Sequence, residues 1–222
     1  MSSTILDCDA VLFDLDGVLV DSEACIQHVL RDWAAVHGFD MAPVTQAAHG
    51  RRPVEWVRTF APDLDAASEA AWFLARESQE TRGLHAMPGA RQLVESLPRY
   101  AWAVVTSCDR PLATVRMQAA GLPTPPLMIC GDDIVRGKPD PEGYSTAAQR
   151  LGLAPERCIV IEDAFIGIQA AHAAGMRVIG VFGTRGFDEV SEADVVAVGL
   201  ASIEPEVTTI GEMRLHVKSV ST

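Results

Sequence analysis

The chain has 222 residues, 48% hydrophobic and 22% charged, which suits one good-sized globular domain or a core domain with a smaller appendage. Its formal net charge of −12 argues against a nucleic-acid partner and against an anionic membrane surface, because no basic face replaces the released counterions. The sequence shows no signal peptide, no apolar run long enough to span a bilayer, and five scattered cysteines. We therefore expect a cytoplasmic protein with reduced thiols. Nothing in the sequence indicates an obligate interface, so a monomer is expected.

The first predicted element is a buried strand over Ala10–Phe13, and two carboxylates follow it directly. Asp14 and Asp16 stand one residue apart at the mouth of this strand, where a low dielectric strengthens their repulsion. Such a pair makes physical sense if a divalent cation lies between the carboxylates and a substrate, or if the two have different protonation roles. The alternative is an ordinary turn at the end of a strand, since Asp and Gly are common turn residues.

A helical segment follows, from about Ser22 to His85. Its patterns predict helices over Glu23–His37, Val44–Ala48, Val54–Phe60 and Ala66–Arg82. We expect residues 21–85 to form an α-helical cap domain that is inserted after the first strand, and residues 1–20 and 86–222 to form an α/β core. A cap in this place hangs over the strand ends, where it excludes water and selects the substrate.

Apolar runs alternate with helical patterns in the rest of the chain. The helices are predicted near Ala90–Leu97, Leu112–Ala120, Pro141–Leu151 and Ile166–Ala174. The strands are predicted over Ala101–Val105, Leu127–Cys130, Cys158–Ile161, Val178–Val181 and Val195–Val198. These runs lack alternation, which indicates strands buried on both faces and hence a Rossmann-like, doubly wound parallel sheet of the α/β class. After about Glu204 the pattern is ambiguous, and Met213–Val217 is a candidate edge strand.

Acidic and hydroxyl side chains follow several of these strands. Asp14, Ser107 and the pair Glu162-Asp163 each lie just past the end of a predicted strand. Ligands of open α/β sheets gather at the carboxyl ends of the strands. We therefore expect these residues to meet in one site.

Lys138 stands out because the chain otherwise uses arginine as its basic residue. The only other lysine is Lys218, yet Lys138 is kept within Gly137-Lys138-Pro139-Asp140-Pro141. A compact ammonium and a forked guanidinium are not interchangeable at a tight site. Lys138 is therefore a candidate for chemistry.

Taken together, these motifs resemble those of the haloacid dehalogenase superfamily. The four motifs of that superfamily are matched in order by Asp14-Leu15-Asp16-Gly17, Thr106-Ser107, Gly137-Lys138-Pro139-Asp140-Pro141 and Glu162-Asp163. The helical segment is similar to the small helical cap of its β-phosphoglucomutase-like subgroup. Within the superfamily the chain looks closest to phosphatases of sugar phosphates and polyol phosphates, a resemblance that extends to His49-Gly50-Arg51-Arg52.

The resemblance implies a Mg²⁺-dependent hydrolysis of a small phosphorylated substrate. Asp14 is implied as the nucleophile that forms an aspartyl-phosphate, and Asp16 as the acid that protonates the leaving oxygen and then deprotonates the attacking water. The implied Mg²⁺ ligands are Asp14, the backbone carbonyl of Asp16, and Asp163. Lys138 is implied to hold Asp14. Glu162 either orients Lys138 or binds the metal through water.

Further residues are implied to contact the substrate. Ser107 is the implied donor to a phosphoryl oxygen, through its backbone amide or its hydroxyl, and Thr106 is the alternative. In the cap, Arg51 and Arg52 either reach the substrate or are solvated surface charges. His49 is either a polar contact to the substrate or a structural histidine.

An isomerase is the main competing function, because β-phosphoglucomutases share the fold, the cap type and the four motifs. Those mutases have a histidine twelve residues after the nucleophile, which delays hydrolysis, and here that position is Ile26. Isoleucine cannot gate proton transfer, so the departure favours hydrolysis.

Other classes fit less well. A phosphonate hydrolase of this superfamily needs a lysine in the cap, and residues 22–85 contain none. A non-catalytic module is disfavoured because Asp14, Asp16, Lys138 and Asp163 are all present.

Overall fold

The computed structural model of the chain describes residues 2–182, 186–207 and 213–219. Its strands are β1 (Ser2–Cys8), β2 (Ala10–Phe13), β3 (Val20–Asp21), β4 (His85–Ala86), β5 (Trp102–Val105), β6 (Met128–Ile129), β7 (Cys158–Glu162), β8 (Arg177–Val181), β9 (Val195–Ala197), β10 (Ile203–Val207) and β11 (Met213–Ser219). Its helices are α1 (Glu23–His37), α2 (Met41–Ala48), α3 (Pro53–Phe60), α4 (Ala66–Gln79), α5 (Ala90–Ser96), α6 (Arg110–Ala119), α7 (Glu142–Leu151) and α8 (Phe165–Ala173).

A parallel sheet forms the centre of the molecule. Its strands run in the order β9-β8-β7-β2-β5-β6, and each neighbouring pair is parallel. Every residue of β2, β5 and β7 is buried, which is expected of strands covered by helices on both faces. The predicted fold class, an α/β Rossmann-like parallel sheet, is confirmed.

An antiparallel extension was not fully predicted. The candidate strand over Met213–Val217 is β11, but it does not form the edge of the sheet, because β1 pairs with it along its whole length and β10 pairs with it as well. Burial alternates along β11, so this strand has one buried and one more exposed face. Strand β1 has no apolar run of its own, since its residues are Ser2-Ser3-Thr4-Ile5-Leu6-Asp7-Cys8.

The helical segment lies between two short paired strands. Strand β3 precedes the helical segment in the chain and β4 follows it. The two strands pair antiparallel, with Val20 opposite Ala86. Helices α1–α4 enclose their own apolar cluster, in which the rings of Trp33 and Trp56 lie 5.0 Å apart and those of Trp56 and Phe73 lie 5.4 Å apart. The assignment of residues 21–85 to a cap domain, and of the rest to a core, stays a prediction.

Local signals explain where helices α1, α3 and α4 begin or end. The Asp65 side chain accepts hydrogen bonds from the first free backbone N–H groups of α4, and Pro53 occupies the first turn of α3. Gly38 ends α1 with a φ of 73°, in the left-handed region that favours glycine. None of the helices within the described ranges is both long and apolar enough to cross a membrane.

Candidate active site

The sheet brings the sequence motifs together at one edge. Strand β2 lies between β5 and β7, so the residues that follow these three strands are neighbours. Asp14 follows β2, and its backbone N–H donates to the Ile161 carbonyl of β7 at 3.0 Å. Thr106 follows β5, and Glu162 ends β7. The expected convergence at the carboxyl ends of the strands is therefore seen in the structure.

Lys138 lies between two carboxylates. Its Nζ donates to Oδ1 of Asp14 at 2.5 Å and to Oε1 of Glu162 at 2.6 Å. Burial lowers the pKa of Lys138, but these two carboxylates outweigh it and hold the pKa well above its usual range. Burial raises the pKa of Asp14 to about 7, although the ammonium group of Lys138 opposes the shift. The ammonium therefore stabilises a carboxylate that burial destabilises.

Glu162 is fully buried, and both of its carboxylate oxygens have partners within the protein. Oε1 accepts from Lys138 and, at 2.7 Å, from the hydroxyl of Tyr144. Oε2 accepts from the backbone N–H groups of Asp163 at 3.1 Å and Ala164 at 3.2 Å. These contacts favour the alternative in which Glu162 orients Lys138 over the one in which it binds a metal through water.

Two glycines allow these acids to approach the backbone. A Cβ on Gly17 would lie 2.0 Å from Oδ2 of Asp163, and Gly17 has a φ of 81°, where a side chain adds strain. A Cβ on Gly167 would lie 1.8 Å from Oε1 of Glu162. Gly17 of the first motif and Gly167 of α8 therefore leave room for the carboxylates of Asp163 and Glu162.

A cluster of acids fits the implied Mg²⁺. Asp14, Glu162 and Asp163 are all buried and each offers a carboxylate oxygen within 4.8 Å of the others. Burial raises the pKa of Asp163 well above its usual range, and the negative charges of Glu162 and Asp14 raise it further. Buried like charges at this spacing favour a bound cation, and hard oxygen donors are the ligands of Mg²⁺.

Asp16 has contacts that the sequence analysis missed. Its Oδ1 accepts from the Ser22 hydroxyl at 2.6 Å, and its Oδ2 accepts from Nη1 of Arg116 at 2.6 Å and from the Cys108 thiol at 3.0 Å. Nη2 of Arg116 donates to Oε2 of Glu77 on α4 at 2.6 Å. The sequence contains one signal that could have identified Arg116. It is the charged residue within the largely apolar pattern of the predicted helix over 112–120.

The two hydroxyl residues after β5 have different surroundings. The Ser107 hydroxyl donates to the Gly50 carbonyl at 2.7 Å, which links the core to the segment between α2 and α3. Its backbone N–H has no hydrogen-bond partner among the residues that the structure describes. Thr106 is buried, and its Oγ1 accepts from the Cys108 backbone N–H at 3.1 Å. The Ser107 hydroxyl is therefore engaged with Gly50, whereas the Ser107 amide and the hydroxyl hydrogen of Thr106 have no acceptor among the described residues.

The residues of the segment between α2 and α3 differ in their contacts. Arg52 donates through Nη1 to the Gly131 and Ile134 carbonyls at 2.8 and 2.9 Å, and through Nη2 to Oε1 of Glu55 at 2.6 Å. These bonds tie Arg52 to the core, so its contact with a substrate stays a prediction that this arrangement does not favour. Arg51 is exposed, and its guanidinium forms no ion pair within the described ranges.

His49 lies beside the core rather than in solvent. Its Nε2 is 3.8 Å from Oε2 of Glu189, and its side chain is only 21% exposed. This position is compatible with both of the roles expected for it, a polar contact to the substrate and a structural histidine.

A cavity of about 460 Å³ connects these residues. Its floor contains Asp14, Asp16, Lys138 and Asp163, and its wall on the side of α1–α4 includes apolar residues such as Ile26. Thr106, Ser107, His49, Arg51 and Arg52 also line it. Glu162 lies outside the lining, below Lys138. The volume is within the range of small-molecule sites, about 300–1,000 Å³.

Comparison with known proteins agrees with this geometry. A family model described as haloacid dehalogenase-like hydrolase matches residues 8–175. Hexitol phosphatase A of Escherichia coli is 38% identical over 201 residues, which cover 88% of this chain and 93% of that protein. Glycerol-1-phosphate phosphohydrolase 1 of Saccharomyces cerevisiae is 33% identical over 200 residues, which cover 84% of this chain and 80% of that protein.

A solved structure has the same architecture. The crystal structure of CbbY from Rhodobacter sphaeroides in complex with phosphate has a TM-score of 0.77 and 25% identity, and the match covers 87% of this chain and 95% of that one. The chain therefore belongs to the haloacid dehalogenase-like hydrolase family, as its four motifs predicted, and the expectation of a phosphatase is confirmed.

Proposed function

We propose that the chain is a Mg²⁺-dependent phosphomonoesterase that hydrolyses small sugar phosphates or polyol phosphates through an aspartyl-phosphate on Asp14. The observation that carries the proposal is the placement of the Asp14 carboxylate, 2.5 Å from the Lys138 ammonium and within 4.8 Å of Asp163, at the floor of the cavity. An anionic nucleophile that attacks a phosphate dianion needs positive charge beside it.

Asp14, Asp163 and the backbone carbonyl of Asp16 would hold the Mg²⁺. When bound, the ion would neutralise the charge of the phosphoryl group and orient it for in-line attack. Lys138 fixes Oδ1 of Asp14 and adds a second positive charge, while Glu162 fixes Lys138. Ser107 offers its backbone N–H to a phosphoryl oxygen.

Asp16 is the proposed general acid and base. Its carboxyl group gives a proton to the leaving oxygen as the bond from phosphorus to that oxygen breaks and the bond to Asp14 forms. The resulting carboxylate then takes a proton from the water that attacks phosphorus, and Asp14 and phosphate are released. Both half-reactions take place in the same cavity, which also includes Asp16 in its lining.

The substrate class rests on the relatives and on the cavity. The matched relatives are named for phosphatases of a hexitol phosphate and a glycerol phosphate, and the cavity has space for a leaving group of similar size. The side chains of Arg51 and His49 are the proposed contacts to its hydroxyl groups. We further propose a reducing, cytoplasmic compartment, because all five cysteines are free thiols. The expected monomer stays a prediction.

The isomerase alternative would use the same nucleophile but return the phosphoryl group to a sugar. Ile26 lines the cavity at the position where the mutases have a histidine. Its apolar side chain neither donates nor accepts a proton, so water reaches the aspartyl-phosphate without that control. This supports hydrolysis over isomerisation.

Phosphate release from a panel of hexitol, hexose, deoxyhexose and glycerol phosphates tests the proposal. We expect Mg²⁺-dependent release from at least one of them, and its loss in Asp14→Asn. Activity that survives Asp14→Asn would rule out the nucleophile. Conversion of β-glucose 1-phosphate mainly to glucose 6-phosphate, with little free phosphate, would favour the isomerase instead.

A further inference from the structure

We propose that Arg116 is a positioning residue for Asp16, and that Glu77 of helix α4 holds Arg116 in place. The inference rests on the proposed function, because it concerns the general acid and base of that reaction. It assigns a role in turnover to two residues outside the four motifs, one in the core helix α6 and one in the helical segment above the cavity.

The guanidinium of Arg116 spans two carboxylates. Nη1 lies 2.6 Å from Oδ2 of Asp16, and Nη2 lies 2.6 Å from Oε2 of Glu77. Only 3% of the Arg116 side chain is exposed, against 20% for Asp16 and 11% for Glu77. The planar fork of arginine therefore connects the acid-base residue to α4 with almost no access of water.

The charges in this cluster support an ordered arrangement. Burial raises the pKa of Glu77, and the positive charge of Arg116 opposes that shift. Burial lowers the pKa of Arg116, but the negative charges around it, that of Asp16 first and that of Glu77 among them, together outweigh burial and hold the pKa above its usual range. The Cys108 sulfur, 2.8 Å from Nη1, completes the contacts of that nitrogen. Removal of the Arg116 charge leaves the carboxylates of Asp16 and Glu77 without compensation, whereas removal of Glu77 leaves the pair of Arg116 and Asp16 intact.

Asp16 is consequently held from two sides. The Ser22 hydroxyl, at the start of α1, contacts Oδ1, and Arg116 contacts Oδ2. A guanidinium only donates hydrogen bonds, so a proton on Asp16 belongs on Oδ1, where the Ser22 hydroxyl both donates and accepts. Arg116 thus fixes which oxygen of Asp16 exchanges the proton. The hydrogen bond to Glu77 keeps the guanidinium from turning toward another carboxylate of the cavity.

This role predicts a kinetic pattern that a merely structural role does not. The value of kcat/KM reports the steps up to aspartyl-phosphate formation, in which Asp16 protonates the leaving oxygen. An alkyl phosphate such as glycerol 1-phosphate needs that proton, whereas p-nitrophenyl phosphate has a leaving group that departs as an anion. Hydrolysis of the aspartyl-phosphate needs Asp16 as a base with both substrates.

The experiment compares Arg116→Met, Arg116→Lys and Glu77→Gln with the wild type on these two substrates in Mg²⁺. We expect kcat/KM for the alkyl phosphate to fall on the order of 100-fold in Arg116→Met and about 10-fold in the other two, since general acid catalysis contributes about 10²–10⁴-fold. For p-nitrophenyl phosphate, kcat/KM stays within about threefold, while kcat falls and a burst of nitrophenolate equal to the enzyme concentration appears.

Arg76→Met is the matched control, because Arg76 is the neighbour of Glu77 on α4 and pairs with Asp32 near the surface. It should leave both substrates unchanged. Equal losses of kcat/KM on both substrates in the Arg116 variants, or no burst, would overturn the inference. If Arg116→Met does not fold, Arg116→Lys decides, since it keeps the charge. A wild type that hydrolyses neither substrate would instead count against the proposed function itself.

Discussion

At Lys138 a single side chain compensates two buried acids. Its ammonium contacts Asp14 and Glu162, and its side chain is 8% exposed. Loss of one partner of a buried ion pair costs about 3–5 kcal/mol, because the remaining charges are left in a medium of low dielectric. The residue therefore contributes to the stability of the fold as well as to the charge balance of the nucleophile.

Lys138→Met should lower the free energy of unfolding by about 3–5 kcal/mol at pH 8 without Mg²⁺, and should abolish phosphatase activity. The measurement is urea denaturation followed by circular dichroism. The control is Lys218→Met, since Lys218 is 62% exposed and pairs with Glu204 at 3.0 Å, which predicts a change of about 0–1 kcal/mol. Equal changes for the two lysines would contradict the account of Lys138.

At the scale of elements, the segment between α2 and α3 and the first turn of α3 join the helical insert to the loop that carries Lys138. Arg52 donates to the carbonyls of Gly131 and Ile134, and Glu55 accepts from the Gly137 backbone N–H at 2.8 Å. Arg51, the neighbouring residue, is exposed at the cavity. Of these two adjacent arginines, Arg52 is therefore hydrogen-bonded to the core, whereas Arg51 is exposed and is a proposed contact to the substrate.

The two arginines should respond differently to substitution by methionine. Arg52→Met should lower the free energy of unfolding by about 2 kcal/mol, since its charge-assisted hydrogen bonds are lost. Arg51→Met should leave stability within about 0.5 kcal/mol, because Arg51 is exposed, and should raise KM about fivefold if Arg51 is the proposed contact to the substrate. Arg58→Met, an exposed arginine on α3, is the control for both measurements. An increase in KM for Arg58→Met of the same size would contradict a specific role for Arg51.

At the scale of the whole molecule, the buried acidic cluster makes the stability of the fold depend on pH. Burial raises the pKa of Asp14 to about 7 and that of Asp163 well above its usual range. The same carboxyl groups titrate near pH 4 in the unfolded chain. The folded protein without metal therefore binds protons more tightly than the unfolded chain does, and this difference makes its stability depend on pH.

Without Mg²⁺, stability should fall by a few kcal/mol as pH rises from about 4 through about 7, because over this range the unfolded chain has released protons that the folded state still holds. The measurement is the melting temperature in EDTA from pH 5 to 8. Asp14→Asn should flatten the slope, and Mg²⁺ should raise the melting temperature more at pH 8 than at pH 5. A slope that is the same in Asp14→Asn would refute the assignment.

Local signals in the sequence predicted the parallel sheet and the motif residues, whereas contacts between distant segments remained out of reach. Strands such as β2 are apolar along their whole length, so their burial is visible in the sequence alone. Strand β1 has no such signal, and its partner is β11, which lies near the other end of the chain and pairs with it from Ser2 to Cys8.

The residues of the site also divide into those that a local motif identifies and those that depend on contacts between distant segments. Asp14, Lys138 and Asp163 lie in ordered motifs, and their meeting follows from the direction of the strands. The pairing of Asp16 with Arg116 and of Arg116 with Glu77 depends on how α4 and α6 pack, which no short pattern specifies. The same holds for Arg52, whose neighbours among the carbonyls of residues 131–135 appear only in three dimensions.

The most direct test of the account is to trap the phosphoryl group on Asp14. Asp16→Asn is mixed with p-nitrophenyl phosphate and Mg²⁺, quenched in acid, and digested for peptide mass spectrometry. Because the leaving group needs no proton while hydrolysis of the intermediate needs a base, we predict a phosphoryl adduct on the peptide that contains Asp14, and none in Asp14→Asn with Asp16→Asn. An adduct on another residue, or steady hydrolysis with no adduct in any peptide, would contradict the account.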